Sequence, residues 1–305
     1  MKKVLLATTA LVFSAGYAAA EVTISGSANM GFKYVEYGIG YADGNKNAGW
    51  YEIDMDVTGT MESDAGLTFG ATIELDSDYA SALGDDPEGL TGSVFASGAF
   101  GTFTVGSVDP IADDYGLTDI GFDGIGIDNI AELGNYSFGL TTLVDLLNVP
   151  VPPFADWGVT ADARWDYSVG AITVGASIDT IQKDYSIGGA YDFGVVKAAL
   201  AYSKDDASGE DSTQFKLSGS QNGFGGEFFY ATTDIIDSWG LYGSYKTGAL
   251  LLEASYSKAE LDGAGSVDAY GIGAKYDLGG GAKVAGGIGD IEGNTVADLG
   301  VTFSF

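Results

Sequence analysis

The sequence predicts an all-β protein: a transmembrane antiparallel β-barrel of about 16 strands. Three observations predict it. Long runs alternate apolar and polar residues with a period of two. Tight, glycine-bearing turns take turns with longer polar loops. The only continuous apolar stretch sits at the very start and is short.

Lys2 and Lys3 precede an apolar run from Val4 to Phe13, and Ala18-Ala19-Ala20 offers small residues before Glu21. Residues 1–20 therefore read as a signal peptide for Sec export, cleaved near Ala20, and residues 21–305 as the barrel. A run of about ten residues is half of what a helical span needs. No later segment approaches about 20 consecutive apolar residues, so any membrane crossing falls to strands, which hide apolar residues at alternate positions.

The alternation begins at once. Val22, Ile24, Met30, Phe32 and Tyr34 oppose Thr23, Ser25, Asn29 and Lys33. Tyr51, Ile53, Met55 and Val57 oppose Glu52, Asp54, Asp56 and Thr58, and Phe69, Ala71, Ile73 and Leu75 oppose Thr68, Thr72, Glu74 and Asp76. A soluble sandwich shows the same pattern, but several of these runs exceed ten residues, enough to cross a bilayer when tilted. Strands are expected over 22–37, 48–61, 67–77, 91–98, 102–108, 157–168, 171–179, 184–192, 195–204, 212–221, 224–233, 237–246, 249–260, 267–277, 282–289 and 295–305. The pattern is weakest in 91–108 and 282–289, which leaves 14 and 18 strands compatible with it. An even count lets the first and last strands pair, removing the edge that lipid cannot satisfy.

Short turns fall at Ser63-Asp64-Ala65-Gly66, Asn222-Gly223, Thr247-Gly248 and Gly279-Gly280-Gly281; polar excursions fall near 78–90, 109–156, 205–211, 261–266 and 290–294. Trp157, Val159, Ala161, Ala163, Trp165 and Tyr167 are expected to face lipid, while Thr160, Asp162, Arg164, Asp166, Lys197, Gln214, Lys216, Lys246, Glu253, Lys275 and Lys283 are expected on the wet inner face.

Composition removes several functions. The chain has no Cys and no His, which excludes disulfides, thiolate metal sites and every Ser-His-Asp triad. Two of its 13 basic residues are Lys2 and Lys3, so residues 21–305 hold 11 basic against 43 acidic residues, a balance of −32. Such a surface repels nucleic acid. No pair of carboxylates stands out from the acidic background as a hydrolase would need, and an enzyme is not expected.

The chain resembles the alphaproteobacterial general porins, the trimeric sixteen-stranded type. Glu21-Val22-Thr23-Ile24-Ser25-Gly26, Ser97-Gly98-Ala99-Phe100-Gly101, Tyr276-Asp277-Leu278-Gly279-Gly280-Gly281-Ala282 and above all Val296-Ala297-Asp298-Leu299-Gly300-Val301-Thr302-Phe303-Ser304-Phe305 carry the resemblance. It implies passive diffusion of ions and small hydrophilic solutes across the bacterial outer membrane, a homotrimer, and a third loop that narrows the barrel. It also implies that Leu299, Val301, Phe303 and Phe305 are read by the barrel-assembly machinery. The loop 78–90 would then reach a neighbouring subunit.

The excursion 109–156 has the place of that third loop. Its acids Asp109, Asp113, Asp114, Asp119, Asp123 and Asp128 are candidate constriction residues; a solvated loop surface is the plainer reading of the same residues. In the family such acids face basic residues on the wall. Here the early strands offer Glu52, Asp54 and Asp56, with Lys33 and Arg164 as the wall cations, so a mainly negative, cation-preferring constriction is expected. No cofactor is required. Oxygen-rich loops also suit Ca²⁺, which makes Asp113, Asp114, Asp119 and Asp123 candidate calcium ligands. A substrate-specific or gated channel on the same barrel is the alternative function.

Overall fold

The computed structural model describes residues 21–36, 46–78, 90–135, 159–263 and 265–305. The proposed signal peptide, most of the loop 78–90 and residues 136–158 of the third excursion lie outside them, as does Trp157.

Sixteen antiparallel strands close into one barrel, each paired with its sequence neighbours and the first with the last. On the way around, β1 (Glu21–Val35), β2 (Asn47–Glu62), β3 (Thr68–Asp78), β4 (Leu90–Gly98) and β5 (Gly101–Gly106) precede the long excursion. It contains a 3₁₀ turn, Ile111–Tyr115, and one short helix, Ile127–Glu132. The sheet resumes with β6 (Ala163–Val169), β7 (Ile172–Ile178), β8 (Tyr185–Asp192), β9 (Val196–Lys204), β10 (Asp211–Gln221) and β11 (Phe224–Thr232). It ends with β12 (Ile236–Thr247), β13 (Leu250–Leu261), β14 (Gly265–Gly279), β15 (Ala282–Ile291) and β16 (Asn294–Ser304). β1 meets β16 in register from Ser27↔Ser304 to Val35↔Val296, and Gly26 and Phe305 exchange both backbone hydrogen bonds, at 3.1 and 3.0 Å.

Period two turns into two faces. Ile24, Met30, Phe32, Ile53, Phe69, Ile73, Leu200, Leu241, Ile272 and Leu299 are exposed on the outside, although apolar. Water would penalise that surface and lipid does not. No described helix is long and apolar enough to cross a membrane.

Three expectations need correction. The strand placed at 157–168 begins only at Ala163. Thr160 gives its N to Asp184 (3.1 Å) and its Oγ1 to Asp179 (2.8 Å) instead, bonds to side chains that compete with ladder pairing; Asp162 keeps backbone bonds to Gly106 N and Ile178 O, and Val159 is buried rather than lipid-facing. The fifth strand stops at Gly106, whose φ of 126° ends the extended run before Pro110. The excursion near 290–294 is a tight two-residue turn: Glu292 and Gly293 take φ of 52° and 79° between Ile291 and Asn294, the geometry that suits the twist of a hairpin.

Candidate pore constriction

The residues after β5 leave the sheet and lie against the polar face of the barrel wall. Their backbone is satisfied by side chains from strands far apart on the ring. Ile111 N donates to Ser177 Oγ (3.1 Å) and Ala112 N to Ser186 Oγ (3.1 Å). Thr118 donates through N and Oγ1 to Glu227 (3.0 and 2.9 Å), and Gly134 N donates to Ser238 Oγ (2.9 Å). Phe122 N donates to Asp298 Oδ2 (2.8 Å). Buried backbone groups must be paired, and here the wall does the pairing.

Apolar residues lock the arrangement. Ile120, Ile125, Ile127, Ile130 and Leu133 form one buried cluster with Ile236, Val267, Ala269 and Val296 of the wall. The wall admits them because it is cut back at the contact points. A Cβ on Gly240 would lie 2.6 Å from Leu117, and one on Gly271 2.9 Å from Ile120. Burial of this cluster is the apolar driving force for seating.

The wall cations bind the same segment. Arg164 Nη1 donates to Asp109 O (3.2 Å), Lys216 Nζ to Gly116 O, Lys275 Nζ to Asp119 O (3.4 Å) and Lys33 Nζ to Asp123 O (3.2 Å). Each also has a carboxylate partner. Arg164 pairs with Asp114 (2.5 Å) and Asp166 (2.9 Å), Lys216 with Glu227 (3.0 Å), Lys275 with Glu253 (3.2 Å), and Lys33 with Asp123. Lys33 also lies 4.1 Å over the Trp50 ring. Their charge is spent locally.

The opposite balance holds on β2 and β3. Glu52, Asp54 and Asp56 share the inner face with Glu74 and Asp76, and the register sets Asp54 opposite Asp76 and Asp56 opposite Glu74. Like charges directly opposed destabilise a sheet, and only partial relief is present. Asn29 donates to Glu52 (3.0 Å), Ser27 to Asp54 (3.0 Å) and Thr91 to Glu74 (2.7 Å). Among the described residues no Lys or Arg forms an ion pair with these five carboxylates.

The six loop acids divide. Asp109, Asp113 and Asp114 are exposed; Asp119 and Asp123 are half-buried; Asp128 is buried against the wall beside Glu132. Asp128 therefore does not line open space, because the helix Ile127–Glu132 turns it inward. Nor do Asp113, Asp114, Asp119 and Asp123 gather as calcium ligands. Asp114 goes to Arg164, Asp123 to Lys33, and Asp119 caps Ile120 N (2.7 Å). No three acidic side chains among the described residues are placed to hold a metal ion.

Burial pushes Asp119 and Asp128 above the usual carboxylate range, Asp128 further because Asp119 and Glu132 lie beside it. Burial likewise pushes Glu132 up to about 7, against the amide of Leu117 and the Lys216 ammonium, which hold it down. A carboxyl that titrates higher when seated than when free favours seating in the protonated form. Its contribution is complete below the ordinary carboxyl range and is lost as pH rises toward 7. For Glu132 the loss is of the order of 3 kcal/mol. Glu132→Gln keeps an acceptor for Leu117 N, so thermal unfolding of the variant in detergent should be less sensitive to pH between 5 and 8, with higher stability than the parent at pH 8. An unchanged pH profile would refute this.

Sequence reasoning found Lys33, Arg164, Glu52, Asp54 and Asp56 as pore residues; it put Glu74, Asp76 and Glu253 on polar strand faces without a pore role and gave Glu227 and Asp298 none. All five lie at polar positions of alternating strands, the only signal available for them.

A closed sixteen-stranded barrel with an apolar outside and a polar inner face defines a membrane pore. The model of the Gram-negative porin family matches residues 7–295, and the chain belongs to that family. It is similar to the porin of Rhodobacter capsulatus, 29% identical over 93% of this chain and 100% of the relative. It is also similar to the porin of Fuscovulum blasticum, 28% identical over the same shares. Among solved structures, two mutants of the Rh. blastica porin superpose with a TM-score of 0.72 at 22% and 23% identity, covering 93% of this chain and all of theirs. The chain is thus an outer-membrane porin, a channel and not an enzyme.

Proposed function

We propose that the segment from Asp109 onward lies in the lumen as the constriction of a water-filled channel that passes small hydrophilic solutes by diffusion and prefers cations. One observation carries the preference: Asp54, Asp56, Glu74 and Asp76 have no basic ion-pair partner among the described residues, while Lys33, Arg164, Lys216 and Lys275 are each neutralised by a carboxylate as they hold the segment. The residual field along the pore is negative. The same reading includes export with cleavage near Ala20, recognition of Leu299, Val301, Phe303 and Phe305 during assembly, and a homotrimer in the membrane. The outward, exposed positions of Leu299, Phe303 and Phe305 support the assembly signal.

Reversal potentials in a planar bilayer under a KCl gradient test the preference. Selectivity for K⁺ is the expected result, and selectivity for Cl⁻ would overturn it. Liposome swelling with sugars of increasing size should show a size cutoff without saturation. Saturation would favour a substrate-specific channel on the same barrel.

A further inference from the structure

The turn Gly121-Phe122-Asp123 sits across the one place where the barrel closes on itself. Gly31 of β1 and Gly300 of β16 stand directly opposite each other in that closing pair. The Phe122 ring lies over both: a Cβ on Gly31 would meet it at 2.8 Å and one on Gly300 at 2.7 Å. Two glycines facing each other make the notch that the ring occupies. On the β1 side, Asp123 accepts from Asn29 Nδ2 (2.8 Å) and pairs with Lys33. On the β16 side, Asp298 accepts from Phe122 N (2.8 Å) and Asp123 N (3.2 Å) through Oδ2, and from Gly287 N of β15 (2.6 Å) through Oδ1. Gly121 has a φ of 100°, and a Cβ there would strike Asp298 Oδ2 at 2.4 Å, so the turn wraps the carboxylate closely.

We propose that this turn is a clasp across the closing seam, and that Asp298 is the positioning residue that seats the constriction by holding it. The inference rests on the lumenal placement proposed above. The clasp can form only once β1 and β16 are paired, because its two halves lie on those two strands. Seating of the constriction and closure of the barrel are then mutually supporting. An aspartate is needed at 298. Both carboxylate oxygens accept from N–H groups, and an asparagine in either orientation turns its own NH₂ against one of those donors.

The test compares Asp298→Asn and Phe122→Ala with Lys216→Met, an anchor far from the seam. All are refolded as the full chain, and folded barrels are identified by heat-modifiable migration on gels. In planar bilayers, Asp298→Asn and Phe122→Ala should lose the uniform parental conductance level and show larger, noisy open steps. The unseated population should rise about tenfold, as the loss of a charge-assisted hydrogen bond allows. Both variants should also close into the heat-modifiable form more slowly than the parent. Parental conductance and closure rate in both seam variants, with altered conductance in Lys216→Met, would overturn the clasp and leave the constriction intact. Parental conductance in all three would overturn the constriction itself. Failure of Asp298→Asn to fold leaves Phe122→Ala, which keeps the carboxylate and its donors, as the deciding variant.

Discussion

Neutralising Asp54, Asp56, Glu74 and Asp76 to their amides is expected to abolish most of the channel's cation preference. One carboxylate about 8 Å from a permeating ion in water contributes roughly 0.5 kcal/mol. Four contribute roughly 2 kcal/mol, a ratio of some thirtyfold before screening. The Debye length is about 30 Å at 0.01 M salt and about 3 Å at 1 M, so the change should be large in dilute KCl and nearly absent in concentrated KCl. The variant should also be at least as stable as the parent, because two directly opposed acid pairs are removed from the sheet. A K⁺/Cl⁻ permeability ratio that does not move at low salt would refute the assignment of the preference to this wall. Lys33, Arg164, Lys216 and Lys275 do not oppose the effect, since their partners lie on the segment and on other strands.

The second large effect is expected on the outer face. Leu299 is 62% exposed and sits midway along β16, where an arginine facing lipid costs about 2–4 kcal/mol. Leu299→Arg should therefore cut the yield of folded barrel in vesicles by more than tenfold, while Thr302→Arg, on the inner face of the same strand, should fold at near-parental yield. Equal losses in both would contradict the facing assigned to β16. The contrast needs no knowledge of transport and so tests the membrane reading separately from the pore.

Most of the barrel was legible because period two is a direct imprint of a wall with lipid on one side and water on the other. Tyr51, Ile53 and Met55 against Glu52, Asp54 and Asp56 give strand, length and facing together. The expected strand over 157–168 failed at its start because Thr160 alternates like a strand residue yet bonds through N and Oγ1 to the carboxylates of Asp184 and Asp179. Alternation cannot reveal such competition. The site was half legible. A lysine at an inner position reads as a pore charge, and only the structure shows that Lys216 and Lys275 end on Gly116 and Asp119 carbonyls. Asp128 read as a constriction acid because sequence gives no rotation for a short helix; its burial follows from Ile127, Ile130 and Ala131 choosing the wall side. Asp298 and its donor Phe122 N are separated by 176 positions, and no local pattern connects them.

Asp54, Asp56, Glu74 and Asp76, with no basic ion-pair partner among the described residues, belong to a single hairpin, β2 and β3, joined by the turn at Ser63–Leu67 and occupying 47–78. The groups that seat the segment come from β1 and from β6 through β16, together with Glu52 of β2, which bonds to Asp123. The proposed ion preference and the pore architecture thereby rest on largely separate side chains. A lineage can retune what it admits by exchanging those side chains of one hairpin, leaving untouched the residues that keep the channel open to a fixed width.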